Sequence, residues 1–176
     1  MKSSGHRKKP IKPILWYWIV IPGIVLSSGK ILDILFNFNL LPGYLWLRLL
    51  ALLVLLLGVA LVELATRNLY KYGAGTPHKG SAPRHLVTEG VYRFCRHPMF
   101  FGYDLAGLGT IILLRSTGAL FVSFPIYLLL QYRALKTREE KRLLVKFGQE
   151  YEQYMKDVPR LIPNPVAILK MKWRNV

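Results

Sequence analysis

The chain has 176 residues, 52% of them hydrophobic, and a formal net charge of +16 at pH 7. That length suits one compact domain, and a single cysteine, Cys95, excludes intramolecular disulfides and thiolate metal clusters. The apolar residues come in blocks without the polar stripe that a soluble helix needs, so a soluble bundle is set aside.

Residues 1–13 form a basic arm with five Lys and Arg. Residues 14–36 read as a first membrane span, with Pro22-Gly23 inviting a kink. A basic stretch before an apolar run also resembles a signal peptide. Here no clean small-residue cleavage site follows, and Lys30 and Asp33 come next, so the run reads as a retained span. Residues 37–43 make an uncharged turn, and residues 44–66 a second span whose 49–62 core is Leu, Val and Ala with one Gly. Residues 67–90 form a Gly/Pro/Lys-rich loop containing GAGTPHKGSAP.

A third span is expected over 98–114, since Pro suits the first turn of a helix. Residues 115–118 form a tight hairpin, and a fourth span follows over 119–135. It continues into a charged amphipathic helix over 136–156, then an extended Pro-rich stretch over 158–165 and a tail from 164 to 176. The charge-free cores are shorter than the usual ~20 residues of a spanning helix, but flanking Tyr, Trp, Arg and Lys lengthen them by snorkelling. The expected fold is an all-α polytopic membrane protein with about four transmembrane helices and a C-terminal cytoplasmic amphipathic helix. It reads as one domain: the arm, two N-terminal spans (14–66), a motif region (67–163) and the tail.

The basic residues fall in three clusters, five before residue 13, six from 67 to 96 and eleven from 133 to 174. The positive-inside rule puts these clusters, and both termini, in the cytoplasm and the two short connections outside. Topology and attraction to anionic lipid then account for the charge without nucleic acid.

Polar chemistry gathers at the feet of these spans. Glu63 and Arg67, spaced i,i+4, share a helix face and can pair. They are either a plain boundary ion pair or a charge pair facing a substrate cavity. The GAGTPHKG loop offers backbone N–H groups to anions but lacks Walker spacing. His97-Pro98 opens the third span, with Arg96 before it, and helix starts attract carboxylates and phosphates. His78 and His85 lack standard metal-ligand spacing, so no metal is assigned. Gly102, Gly107 and Gly109 allow either close helix packing or room for a ligand. Asp104, an acid one turn into a span, is a functional candidate. Glu139 and Glu140 point about 100° apart on a helix. They can serve a ribose diol or an ammonium group, or pair with Arg133, Arg138 or Arg142.

HLVTEGVYRFCRHPMFFG followed by REEKRLLVKFGQEYEQYMKDVPRLIP resembles the integral-membrane methyltransferases that include isoprenylcysteine carboxyl methyltransferases and phospholipid N-methyltransferases. The shared pattern is LV-x-x-G-x-Y, R-H-P-x-Y/F-x-G, a hydrophobic hairpin, E-E, F-G-x-E-Y and V-P. It covers residues 75–163; the N-terminal half resembles the family in hydropathy alone. The resemblance implies S-adenosylmethionine as methyl donor and a lipid or lipidated acceptor, either an isoprenylcysteine-type carboxylate or a phospholipid amine, at the cytoplasmic membrane face.

By the same resemblance, His85, Leu86, Val87, Gly90 and Tyr92 line the cofactor's approach. Arg96, His97 and Pro98 hold its amino-acid end, next to Gly102, and Glu139 and Glu140 meet its adenosine side or ammonium. Arg67, with Glu63, lies near the acceptor. Phe100 stands where Tyr is common, and Arg84 where carboxyl methyltransferases often carry His. The competing readings are an NADPH-dependent sterol-reductase-like enzyme, which shares the R-H-P helix, and a non-enzymatic lipid-binding membrane protein.

Overall fold

The structure, a computed structural model, describes residues 19–75 and 83–163. The basic arm, the start of the first span, His78 and the tail from residue 164 lie outside the described residues. Those described are all-helical, without strands. In chain order the helices are α1 (Ile21–Leu35), α2 (Leu45–Gly73), α3 (Pro98–Leu113), α4 (Phe124–Ala134), α5 (Glu140–Phe147) and α6 (Gln149–Asp157). A 3-10 turn, Gly90–Arg93, precedes α3, and π-helical turns lead into and out of α4 at Ala119–Ser123 and Leu135–Glu139.

α2 is the one described helix long and apolar enough to cross a membrane; α3 is a shorter apolar helix. α2 outruns the expected span by seven residues, ending at Gly73 instead of 66. Residues 67–73 are therefore helix rather than loop. Leu69 explains the extension, because it packs on the buried cluster of Ala65, Val87 and Tyr92. Ala74 ends the helix in the left-handed conformation, at φ 50°. In α1, Pro22 falls in the first turn, and the backbone before it at Ile19 and Val20 takes the wide π-helical form.

α2 and α3 pack through small residues. A Cβ on Gly102 would meet Gly58 O at 2.8 Å, and one on Gly109 would meet Ala51 O at 2.6 Å. Both glycines serve close backbone approach, the packing alternative of the two weighed above. Gly107 differs: its nearest neighbour stands 3.5 Å from where a Cβ would be.

α1 docks against the π-helical turn that leads into α4, burying Val25, Ile111, Ala119 and Phe124 together. At the hairpin end, Asp33 holds this contact. Its Oδ2 accepts from Ser116 Oγ at 2.6 Å and its Oδ1 from Gly118 N–H at 2.6 Å. A side chain from α1 thus satisfies an orphan N–H at the start of the π-helical turn that leads into α4. Arg115 adds a bond from Nε to Leu41 O at 2.6 Å.

The expected amphipathic helix over 136–156 is two helices. Gly148, at φ 55° and ψ −130°, separates α5 from α6. Only glycine enters that region readily. The turn lets Tyr151, Tyr154 and Val158 fold back as a buried cluster with Leu86 and Leu143 packed against it.

Candidate active site

The two motif segments meet through the backbone. After α6 the chain runs back beside the segment that leads into α3, and Arg96 N–H donates to Pro159 O at 2.8 Å and His97 N–H to Arg160 O at 3.1 Å. The Tyr154 hydroxyl donates to Tyr92 O at 2.6 Å, locking α6 to the 3-10 turn. Gly90 begins that turn at φ 60°, and the space where its Cβ would stand is taken by Asn68. Only glycine satisfies both demands.

These contacts converge on Glu140, which is buried. Arg160 binds it as a fork, Nε to Oε1 at 2.9 Å and Nη2 to Oε2 at 2.9 Å. Arg96 Nη1 stands 2.7 Å from Oε1 as an ion pair out of hydrogen-bond alignment, and His97 Nε2 stands 3.7 Å away. Burial alone would raise the Glu140 pKa; donors on His97 and Arg160 and the charges of Arg96 and Arg160 outweigh it and hold the carboxyl at about 2. Arg160 also lies over the Tyr132 ring at 4.8 Å. Two guanidiniums against one carboxylate leave a positive excess in a largely dry site.

Four buried polar atoms at this site find no aligned hydrogen-bond partner among the described residues: Arg96 Nε and Nη1, His97 Nε2 and Tyr151 Oη. Buried groups of this kind are costly unless satisfied. Burial and the Glu140 charge push the Tyr151 hydroxyl up to about 12, so it stays a neutral donor. The set therefore fits an incoming carboxylate or sugar hydroxyl. His97 does not cap α3 with its side chain, which turns toward Glu140 instead.

The other expected site residues fall in different places. Pro98 is fully buried and Val87 and Tyr92 are buried in one cluster, while Leu86 packs on the α6 tyrosines. His85 is exposed. Glu139 diverges from Glu140: it pairs with Arg142 at 2.5 Å and lines a groove between α1 and α4. The Arg67–Glu63 pair forms at 2.7 Å, but both side chains are more than half exposed. Neither lines the two cavities described next.

The α1–α4 groove encloses about 960 Å³ and runs from Leu32 and Val122 to Arg138 and Glu139. A smaller cavity of about 410 Å³ lies between α1, α2 and α3, against Gly107 and Tyr103. Phe100 links groove and site, lining the first and meeting the His97 ring edge-on at 6.1 Å. Cys95 is buried, and burial pushes its thiol up to about 12, which suits packing rather than nucleophilic attack. Among the described residues no three His, Cys, Asp or Glu side chains converge as a metal site.

Arg160, Tyr151 and Tyr132 were not anticipated as site residues. Tyr151 lies inside the F-G-x-E-Y motif, a signal that could have found it; Arg160 follows V-P with no spacing that points to Glu140.

The family model described as phospholipid methyltransferase matches residues 46–150, more than half of the chain. The chain belongs to this family. Within the phospholipid methyltransferase family its similar proteins include the protein-S-isoprenylcysteine O-methyltransferase of Schizosaccharomyces pombe, 41% identical over 81 residues, covering 44% of this chain and 33% of that protein. The proteins of the same name from Rattus norvegicus and Homo sapiens are 32% identical over 125 residues and 31% over 122; each alignment covers 67% of this chain and 42% of the relative. The chain thus matches less than half the length of each of these relatives. The family match reaches from α2 into α6 and includes Arg96, His97, Glu139 and Glu140; Tyr151 and Arg160 lie beyond it.

Proposed function

We propose that this chain is an integral-membrane methyltransferase, a single domain of four spans with cytoplasmic termini, that moves a methyl group from S-adenosylmethionine to a lipid or lipidated acceptor at the cytoplasmic face. The observation that carries the reading is the buried Glu140 cluster with its unsatisfied donors. It unites the two motif segments within a family whose named members are methyltransferases. Family membership also favours methyl transfer over nicotinamide-dependent reduction.

When bound, S-adenosylmethionine supplies an electrophilic methyl group on a sulfonium. Arg96, His97 and Tyr151 would hold its carboxylate and hydroxyl groups, using buried polar atoms that make no aligned hydrogen bond among the described residues. Glu140 fixes Arg96 and Arg160 in place, so the donors are preorganised and lose little freedom on binding. Burial of the site keeps competing water away. Arg67 would place a carboxylate acceptor, and Glu63 beside it would take the proton from an amine acceptor. The relatives' names specify an isoprenylcysteine acceptor for those proteins; a prenylated cysteine or a phospholipid amine is the acceptor class proposed here.

Calorimetry on detergent-purified protein tests the cofactor, with S-adenosylhomocysteine and NADPH titrated separately. Micromolar binding of the first alone is expected, and binding of neither sinks the enzymatic reading. Radiolabelled methyl transfer into a lipid extract then identifies the acceptor.

A further inference from the structure

Lys30, Arg48 and Arg115 are the three Lys and Arg that belong to none of the basic clusters. They lie at the hairpin end of the bundle, about 24 Å along α3 from the His97 end. Charge there is out of balance. Asp33 is the one acid in residues 1–62, and residues 105–138 hold none. Both Asp33 oxygens accept hydrogen bonds from the hairpin, and the cation it faces is Lys30, at 4.0 Å. Asp104, in the first half of α3, has its own partners in Gln131 and Tyr127 of α4.

Arg48 and Arg115 converge over Gly43. Arg115 Nη1 and Arg48 Nη2 each stand 3.3 Å from the point where a Gly43 Cβ would be, so they are no farther apart than twice that distance. Arg115 reaches this position from a left-handed backbone, at φ 56°, with its Nε bonded to Leu41 O at 2.6 Å. Neither arginine has an acidic partner among the described residues. Arg115 is half-buried and Arg48 exposed, which leaves the pair open to the surroundings of the helix. Arg48 is also the fourth residue of α2, near the positive end of the helix dipole, where neither an acid nor a side-chain cap offsets the charge. Like charges gathered this way repel unless an anion lies between them. A phosphate suits the spacing, because its oxygens accept from both guanidiniums and from helix N–H groups.

The surroundings point to a lipid as the source of that phosphate. Tyr44 and Trp46 stack at 6.2 Å and Phe36 and Phe38 at 5.7 Å, and all four rings are exposed. Such rings favour the head-group level of a bilayer. Beyond them Leu49, Leu52, Leu53 and Leu56 leave apolar surface of α2 exposed for acyl chains. We propose that Arg48 and Arg115, converging over Gly43, bind the phosphate of an anionic phospholipid in the leaflet at the hairpin end. Gly43 keeps the cradle open, since a Cβ there would press on Arg115 Cζ at 3.2 Å. A zwitterionic head group fits less well, because its ammonium adds a further cation. The site is separate from the Glu140 cluster and does not rest on the methyl-transfer reading.

The test uses the full chain in phosphatidylcholine nanodiscs that carry, in separate samples, photoreactive phosphatidylglycerol or photoreactive phosphatidylcholine at equal mole fraction. Peptide mapping locates the label. Phosphatidylglycerol should label residues 37–48 and 113–118 at least fivefold more than phosphatidylcholine does, the worth of about one cation at a lipid surface. Arg48→Gln should cut that preference several-fold, with an unchanged unfolding temperature and unchanged label on the basic clusters at the other end. Arg48→Lys should keep part of it. Inorganic phosphate at high millimolar concentration should leave the label in place. Displacement by inorganic phosphate would assign the site to a free anion and overturn the lipid proposal. Equal labelling of the hairpin end by the two lipids, or a preference unchanged in Arg48→Gln, also overturns it.

Discussion

Glu140 and Arg160 are twenty residues apart in sequence and joined by a two-pronged contact, 2.9 Å at each carboxylate oxygen. This pair ties the end of the chain's described part to the start of α5. It also positions the chain that bonds to Arg96 and His97. Glu140→Gln removes the one negative charge between two guanidiniums. The expected result is loss of S-adenosylhomocysteine binding together with destabilisation of about 3–5 kcal/mol, the range for breaking a buried ion pair by removing one partner. Arg160→Ala should weaken binding less, because Arg96 remains. Calorimetry and thermal unfolding in detergent check both. Normal ligand affinity in Glu140→Gln would remove this residue from the cofactor site.

The same carboxylate predicts an acid limit. Its folded pKa is about 2 against an ordinary 4.5, so the folded state favours the ionised form. The associated stability is fully present above pH 4.5 and is lost as pH falls from there toward 2. The stability gap between the unmodified protein and Glu140→Gln should stay constant from pH 7 to about 5 and close below. A gap that persisted unchanged at pH 2.5 would show that Glu140 is not held ionised.

Gly90 supports the site through backbone shape. Gly90→Ala places a Cβ at φ 60° and into Asn68. The left-handed backbone alone costs about 1–2 kcal/mol, and the collision adds to it. Gly90→Ala combined with Asn68→Ala should recover the collision part and leave the backbone part. Unfolding temperatures of the two variants separate these contributions; full recovery in the double variant would mean that the backbone carries no penalty.

Local rules made the helices legible and left the junctions obscure. Pro98 and the apolar run after it mark α3 in the sequence, and the structure begins the helix at that residue. The C-terminal turns of α2 were hidden because Arg67, Asn68 and Lys71 look like loop residues; Leu69 and its tertiary partners decide the matter. Gly148 was visible, but a lone glycine in a helical pattern does not announce a positive φ. At the site, adjacency of Glu139 and Glu140 implied divergence, and they diverge. That Glu140 would be the inward one, and that Arg160 would reach it, depends on backbone pairing between residues 96–97 and 159–160 that no spacing encodes.

Cys95 should be silent in the folded protein. It is almost fully enclosed and its thiol pKa is about 12, so little thiolate forms at neutral pH. N-ethylmaleimide at pH 7.5 should label it slowly while folded and completely in denaturant, as read by intact-mass spectrometry. Rapid labelling of the native protein would show an open path to the sulfur.

Arg67 separates acceptor handling from cofactor binding. It pairs with Glu63 on α2, with 73% of its side chain exposed. An exposed helical pair contributes about 0.3–0.5 kcal/mol, so Arg67→Ala should barely move the unfolding temperature. S-adenosylhomocysteine should bind as before. If Arg67 orients the acceptor, methyl transfer should fall at least tenfold, with the loss in turnover rather than in cofactor affinity. Arg67→Lys should restore part of it, since it keeps the charge but not the forked geometry. Unchanged turnover in Arg67→Ala would reduce the pair to a boundary ion pair and move the search for the acceptor's partner to the groove between α1 and α4.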